Sequence, residues 1–139
     1  MFAESLDGRG IGFGYRRDRP VLDDLDIHLP AGSLTALCGR SGRGKSTLLY
    51  LLAGLLTPWR GQVRLGERDL HAGSDAARSA YRAAHFGFIF QDVVLDARRS
   101  VLDAVLEPCL YAGLDKAVHT GRALDLMARL GVDLDPDVL

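Results

Sequence analysis

The sequence predicts an α/β fold that opens with antiparallel β-strands and closes with helices, and three observations predict it. Near the N-terminus apolar residues alternate with glycine or polar residues; in the middle a glycine-rich loop joins an apolar run to a helix-forming run; after Ser100 the apolar spacing becomes helical. With 139 residues, 47% of them hydrophobic and 25% charged, the chain has material for one hydrophobic core.

Taken in order, Ile11, Phe13 and Tyr15 alternate with glycines, and Leu25, Ile27 and Leu29 alternate with Asp24, Asp26 and His28. Period two with one wet face reads as two antiparallel strands around a polar turn at Arg17 to Pro20, and it puts Tyr15 on the core side of the first. Pro30-Ala31-Gly32 is a turn, and the apolar run Leu34 to Cys38 is expected as a strand buried on both faces, with Cys38 a small buried residue. Beyond Lys45, Leu48, Leu49, Leu51, Leu52, Leu55 and Leu56 cover nearly the whole circumference of a helix, which predicts a buried one. Thr57-Pro58-Trp59-Arg60-Gly61 stops it, Gln62 to Leu65 reads as a strand, Ser74 to Ala84 as a short helix and His85 to Phe90 as another buried strand. Ser100-Val101-Leu102-Asp103 starts a helix in capping-box style, Pro108 is expected to kink it, and a second helix runs from Asp115 to Leu130 and stops at Gly131.

Charge and composition exclude several classes. With 17 basic and 18 acidic residues the net charge is −1, so no broad basic field faces a duplex and nucleic acid is not an expected partner. The clusters Arg16-Arg17-Asp18-Arg19 and Arg98-Arg99 read as solvated loops. Cys38 and Cys109 have no paired spacing, which favours a reducing compartment over a disulfide or zinc site, and His28, His71, His85 and His119 show no metal-ligand spacing. The longest apolar segment, Leu48 to Leu56, falls far short of the about 18 residues of a spanning helix, so the chain is expected to be soluble while able to sit against a membrane partner.

The stretch Gly39-Arg40-Ser41-Gly42-Arg43-Gly44-Lys45-Ser46-Thr47 has the spacing of a phosphate-binding loop, between an expected strand and an expected helix. A triphosphate is wrapped by inward-pointing backbone N–H groups, and side chains at Gly39, Gly42 and Gly44 would obstruct that approach or the backbone angles it requires. The helix that begins near Lys45 aims its unpaired amides and positive dipole end at the same anion. Lys45 then supplies charge to the β and γ phosphates, Ser46 a ligand to Mg²⁺, and Thr47 a hydroxyl and amide to the α-phosphate. Arg40 and Arg43 either add field at the phosphates or decorate the rim of the loop. The expected organisation is a P-loop NTPase-like α/β core over residues 1–98, followed by 99–139, which the family resemblance described next implies to be the start of a helical subdomain.

Beyond that motif, "FGYRRDRPVLDDLDIHLPAGSLTALCGRSGRGKSTLLYLLAGLLTPWRGQVRLGERDL" resembles the opening of an ATP-binding cassette (ABC) ATPase, "FGFIFQD" its glutamine loop, and "LEPCLYAGL" with "ALDLMARLGV" its helical subdomain. The mix leans toward the subfamily that serves lipoprotein release and macrolide-type export. The resemblance implies an ATP-binding subunit that binds MgATP and, complete and dimeric, hydrolyses it to drive a membrane permease from the cytoplasmic face of the membrane. By the same resemblance Tyr15 stacks on adenine and Gln91 senses Mg²⁺ and the attacking water. The segment Asp92 to Arg99 would meet the permease, and a second ATPase subunit would face the nucleotide.

The family's glycine-rich signature, its apolar strand ending in Asp-Glu and its switch histidine do not occur in these 139 residues, which puts turnover by this stretch alone in question. One alternative is accordingly a non-hydrolysing nucleotide-binding or interaction module. A lesser one is a small P-loop kinase or GTPase that uses Asp92 or Asp96 to hold a metal, although no guanine-reading motif accompanies them.

Overall fold

The computed structural model describes residues 4–91, 96 and 98–132, and the chain divides into two compact units, Met1–His85 and Phe86–Leu139. In the first unit, strands β1 (Leu6–Phe13) and β2 (Leu22–Leu29) pair antiparallel, with Leu6 opposite Leu29 and Phe13 opposite Leu22. Strand β3 (Arg60–Leu65) pairs antiparallel with the other side of β1, and the two-residue β4 (Arg68–Asp69) completes a sheet in the order β2-β1-β3-β4. The alternation of Leu25, Ile27 and Leu29 falls in β2, and that of Ile11 and Phe13 in the end of β1.

One face of the sheet is apolar. Leu6, Ile11, Phe13, Val63 and Leu65 are buried there with Leu48, Leu51 and Leu52 of helix α1 (Lys45–Leu52), and Ile11, Leu51, Val63 and Leu65 are fully enclosed. Each such side chain contributes about 1.5–3 kcal/mol by leaving water. On the opposite face the register sets His28, Asp7, Arg64 and Asp69 side by side across the four strands. The His28 ring stands 2.5 Å from the Asp7 carboxylate, and this contact together with the Ser5 hydroxyl holds Asp7 below the usual carboxylate range. The edge strand β2 is irregular: Asp24 has φ 56° and the pairing slips on either side of Ile11.

Helix α2 (Asp75–His85) is tied to the chain that follows α1. Arg82 donates to the Gly54 carbonyl at 2.9 Å and Arg78 to the Thr57 hydroxyl at 3.3 Å. In the second unit, α3 (Val101–Tyr111) and α4 (Lys116–Arg129) pack together with Leu106, Ala123 and Met127 buried. The Ser100 hydroxyl accepts from the Asp103 amide at 3.1 Å, which is the cap the sequence announces; Asp115 does the same for Ala117 at 2.9 Å. Pro108 lies inside α3 and the helix continues past it to Tyr111.

Several expectations are corrected. Leu34 to Cys38 is not a buried strand but irregular chain, with Leu34 and Cys38 exposed. His85 ends α2, and 86–90 is likewise irregular, with Ile89 and Phe90 exposed. A strand exists only when neighbours take up its N–H and C=O groups, and among the described residues neither run has a strand beside it. The expected all-round helix from Lys45 to Leu56 stops at Leu52, because Gly54 turns to φ 67°; Leu49 and Leu55 are left exposed. Tyr15 does not continue the inward alternation of Ile11 and Phe13, since β1 ends at Phe13. His71, expected at a polar position, has both ring nitrogens buried without a hydrogen bond, and burial lowers its pKa.

Candidate functional site

The loop from Gly39 to Gly44 is held from within and open on the outside. Lys45 is the first residue of α1, and its ammonium donates to the carbonyls of Gly39 and Arg40, each at 2.8 Å, so that it bridges the loop it follows. Residues 39–43 are exposed. Gly42 has φ 74° and a Cβ there would enter open space, so the backbone angle alone calls for glycine. At Gly44 two constraints coincide: φ is 81°, and a Cβ would come within 2.9 Å of Val21 Cγ1 and 3.2 Å of Leu22 Cδ2.

Gly44 is also the N-cap of α1. It offers no side chain to the helix amides, and no acidic residue stands in the first turn, so the start of α1 keeps its unpaired N–H groups and positive field. Ser46 is exposed in that turn, and Thr47 is buried with 6% of its surface accessible. Arg40 and Arg43 lie exposed on the loop.

Tyr15 is 67% exposed. Its ring stands edge-on to Phe13 with centroids 5.4 Å apart, and its hydroxyl lies 3.2 Å from the Thr47 hydroxyl. Phe13 in turn meets the Trp59 ring at 5.9 Å, and the Arg17 guanidinium sits 5.6 Å from the centre of the same indole. A Cβ on Gly14 would lie 2.7 Å from Trp59 and 2.4 Å from the Arg19 carbonyl, so the chain passes over the indole only as glycine. Trp59 donates its backbone N–H to the Gly12 carbonyl at 2.8 Å. In the sequence Trp59 reads only as part of the helix stop, and the signals for this cluster are the spacing Phe13-x-Tyr15 and the lone tryptophan.

The structure thus brings Tyr15, Gly44, Lys45 and Thr47 together within the first unit. Gln91 is exposed at a bend in the second unit. Residues 92–95 and 97, which include Asp92 and most of the segment expected to meet a permease, lie outside the described residues. Asp96 accepts from Arg98 at 3.0 Å and is held by it below the usual carboxylate range. Among the described residues no three His, Cys, Asp or Glu side chains gather as a metal site, and no helix is long and apolar enough to cross a membrane.

The sequence model of the family described as "ABC transporter" matches residues 22–138. The chain belongs to the ABC transporter family. This ABC chain is 41% identical over 113 residues to the lipoprotein-releasing system ATP-binding protein LolD of Xanthomonas euvesicatoria, an alignment that covers 81% of the chain and 46% of LolD. It is 40% identical over 116 residues to the macrolide export ATP-binding/permease protein MacB of Burkholderia thailandensis, covering 84% of the chain and 18% of MacB. The chain therefore spans about half the length of the LolD relatives it matches. In fold it resembles the dimeric ATP-binding cassette MJ0796 bound to ADP and Pi, with a TM-score of 0.81 at 20% identity over 96% of this chain and 60% of that one. A structure described as the ATP-binding subunit of an ABC transporter gives 0.80 at 25% identity, over 96% of this chain and 53% of that one. These likenesses establish an ABC ATPase cassette fold of the α/β class with an antiparallel sheet.

Proposed function

We propose that the chain binds MgATP on the loop 39–47 and is the nucleotide-binding part of an ABC transport ATPase. The observation that carries this reading is the start of α1: a glycine in the left-handed region where a capping side chain normally stands, with Lys45 across the loop in front of it. An anion supplies what the cap omits. Lys45 contributes charge to the outer phosphates, and the amides of Gly42 to Thr47 with the Thr47 hydroxyl contribute donors. Tyr15 offers an exposed ring to the base, a contact worth ~1–3 kcal/mol where aromatic side chains stack on bases.

The donor set also suits Mg²⁺. The exposed Ser46 hydroxyl is a hard oxygen at the helix start, and Mg²⁺ takes one or two protein ligands and completes its shell with phosphate and water rather than in an all-protein cage. When bound, the ion neutralises phosphate charge; Ser46 and Gln91 are the residues proposed to hold it. Hydrolysis, pairing with a second ATPase subunit and the drive of a membrane permease through the segment after Gln91 are proposed for the whole protein, peripheral on the cytoplasmic face of the membrane. The relatives described as an ATP-binding protein of a lipoprotein-releasing system and as an ATP-binding/permease protein support the ATP-binding and permease parts of that reading. Organisation as a nucleotide-binding core over 1–98 and a helical subdomain from 99 belongs to the same proposal.

Titration of MgATP into the protein and its Lys45→Ala variant tests the reading. The expected result is a loss of affinity of about two orders of magnitude, as for removal of one partner from a close charge pair. Equal affinity would place the nucleotide elsewhere.

A further inference from the structure

Tyr15 does more than present a ring. Its phenol reaches across 32 positions of sequence to the Thr47 hydroxyl at 3.2 Å. Thr47 is a buried polar residue, and a buried hydroxyl needs a partner. The end of the same connection, Val21, also comes against the helix start at Gly44, where it and Leu22, the first residue of β2, leave no room for a Cβ. Residues 44 and 47 are neighbours on one face of a helix, so two separate contacts seat the connection on the first turn of α1. From below, the indole of Trp59 packs against Phe13 and under Gly14, which fixes the strand end from which Tyr15 projects.

We propose that the Tyr15 hydroxyl donates to Thr47 and thereby leaves the Thr47 proton to donate to the bound phosphate, which makes Tyr15 a positioning residue for the phosphate site. A hydroxyl has one proton and two lone pairs. If Thr47 donated to the phenol, its lone pairs would face the anion; with the phenol as donor, the Thr47 proton is available to the anion and the hydrogen bond to a charged acceptor is the stronger kind. The field at the start of α1 favours that second arrangement once an anion is present. This inference rests on the proposed phosphate site and deepens it.

The test is calorimetric titration of MgATP and of magnesium tripolyphosphate, which has no base, into the full chain and its variants. Tyr15→Phe keeps the ring and removes only the hydroxyl; it is expected to weaken both ligands by the same factor, about fivefold. Tyr15→Ala is expected to weaken MgATP further and tripolyphosphate no further. Thr47→Val is expected to weaken tripolyphosphate, Thr47→Ser to restore it, and the double variant Tyr15→Phe with Thr47→Val to bind no worse than Thr47→Val alone. Wild-type tripolyphosphate affinity in Tyr15→Phe, or a double variant whose loss is the product of the two single losses, overturns the inference. Lys45→Ala serves as the separate control: if it binds tripolyphosphate like the wild type, the phosphate site itself is misassigned, whatever the tyrosine does.

Discussion

Helices α1 and α3 begin with the same physical problem and resolve it in opposite ways. Each has backbone amides at its N-terminus with no partner in the helix. At α3 the Ser100 hydroxyl accepts from the Asp103 amide, and Asp103 sits in the first turn where its charge meets the helix field. At α1 the corresponding position is Gly44, with no side chain to accept and no acid in the first turn. The difference teaches that an uncapped helix start acquires meaning from what surrounds it: α1 is preceded by an exposed glycine loop and carries Lys45 across that loop, whereas α3 is sealed by its own sequence.

The largest expected effect comes from making α1 resemble its capped counterparts. Gly44→Asp would place a carboxylate where the anion is proposed to sit and would press against Val21. MgATP affinity, followed by titration, should fall by about a hundredfold or more, the size of a like-charge juxtaposition at close range. Retained affinity would show that the open helix start plays no part in binding.

A smaller effect is expected from the reverse change. Ser100→Ala leaves α3 uncapped and should lower stability by ~1 kcal/mol in chemical denaturation while MgATP affinity stays the same. A Ser100→Ala chain that gained anion affinity would break the distinction between the two helix starts.

The smallest effect is electrostatic. Lys116 donates to the Asp103 carboxylate at 2.7 Å and holds its pKa below the usual carboxylate range, with the Ser100 hydroxyl adding to the shift. Because the folded value is the lower one, the contribution of Asp103 is present above the ordinary carboxylate pKa and is lost as pH falls through the folded value. Acid melts should therefore show a slightly weaker pH dependence in Asp103→Asn than in the wild type. Both groups are partly exposed, so added salt should shrink the difference.

Legibility in the sequence followed the range of the interactions involved. The alternation of Leu25, Ile27 and Leu29 with Asp24, Asp26 and His28 is a local record of a half-buried strand, and β2 forms where it says. The spacing of Gly39, Gly44 and Lys45 records backbone angles, and Gly42 and Gly44 take the positive φ values it implies. Leu34 to Cys38 carried no such record: a continuous apolar run states a preference for burial and leaves the partner unnamed. The pairing of Tyr15 with Thr47 was also invisible, because it follows from where β1 ends and how the connection to β2 folds back, and neither is encoded within a few residues of Tyr15.

The edge of the sheet has a consequence of its own. Among the described residues strand β2 has a hydrogen-bonded neighbour on one side only; it carries Asp23, Asp24 and Asp26, and Asp24 bends the backbone out of the extended region. Asp26 turns its carboxylate to the Gly10 amide, and Asp23 pairs with Arg60. A second strand that approached this edge would meet a backbone kinked at Asp24 and acidic side chains, so β2 is a poor template for edge-to-edge pairing.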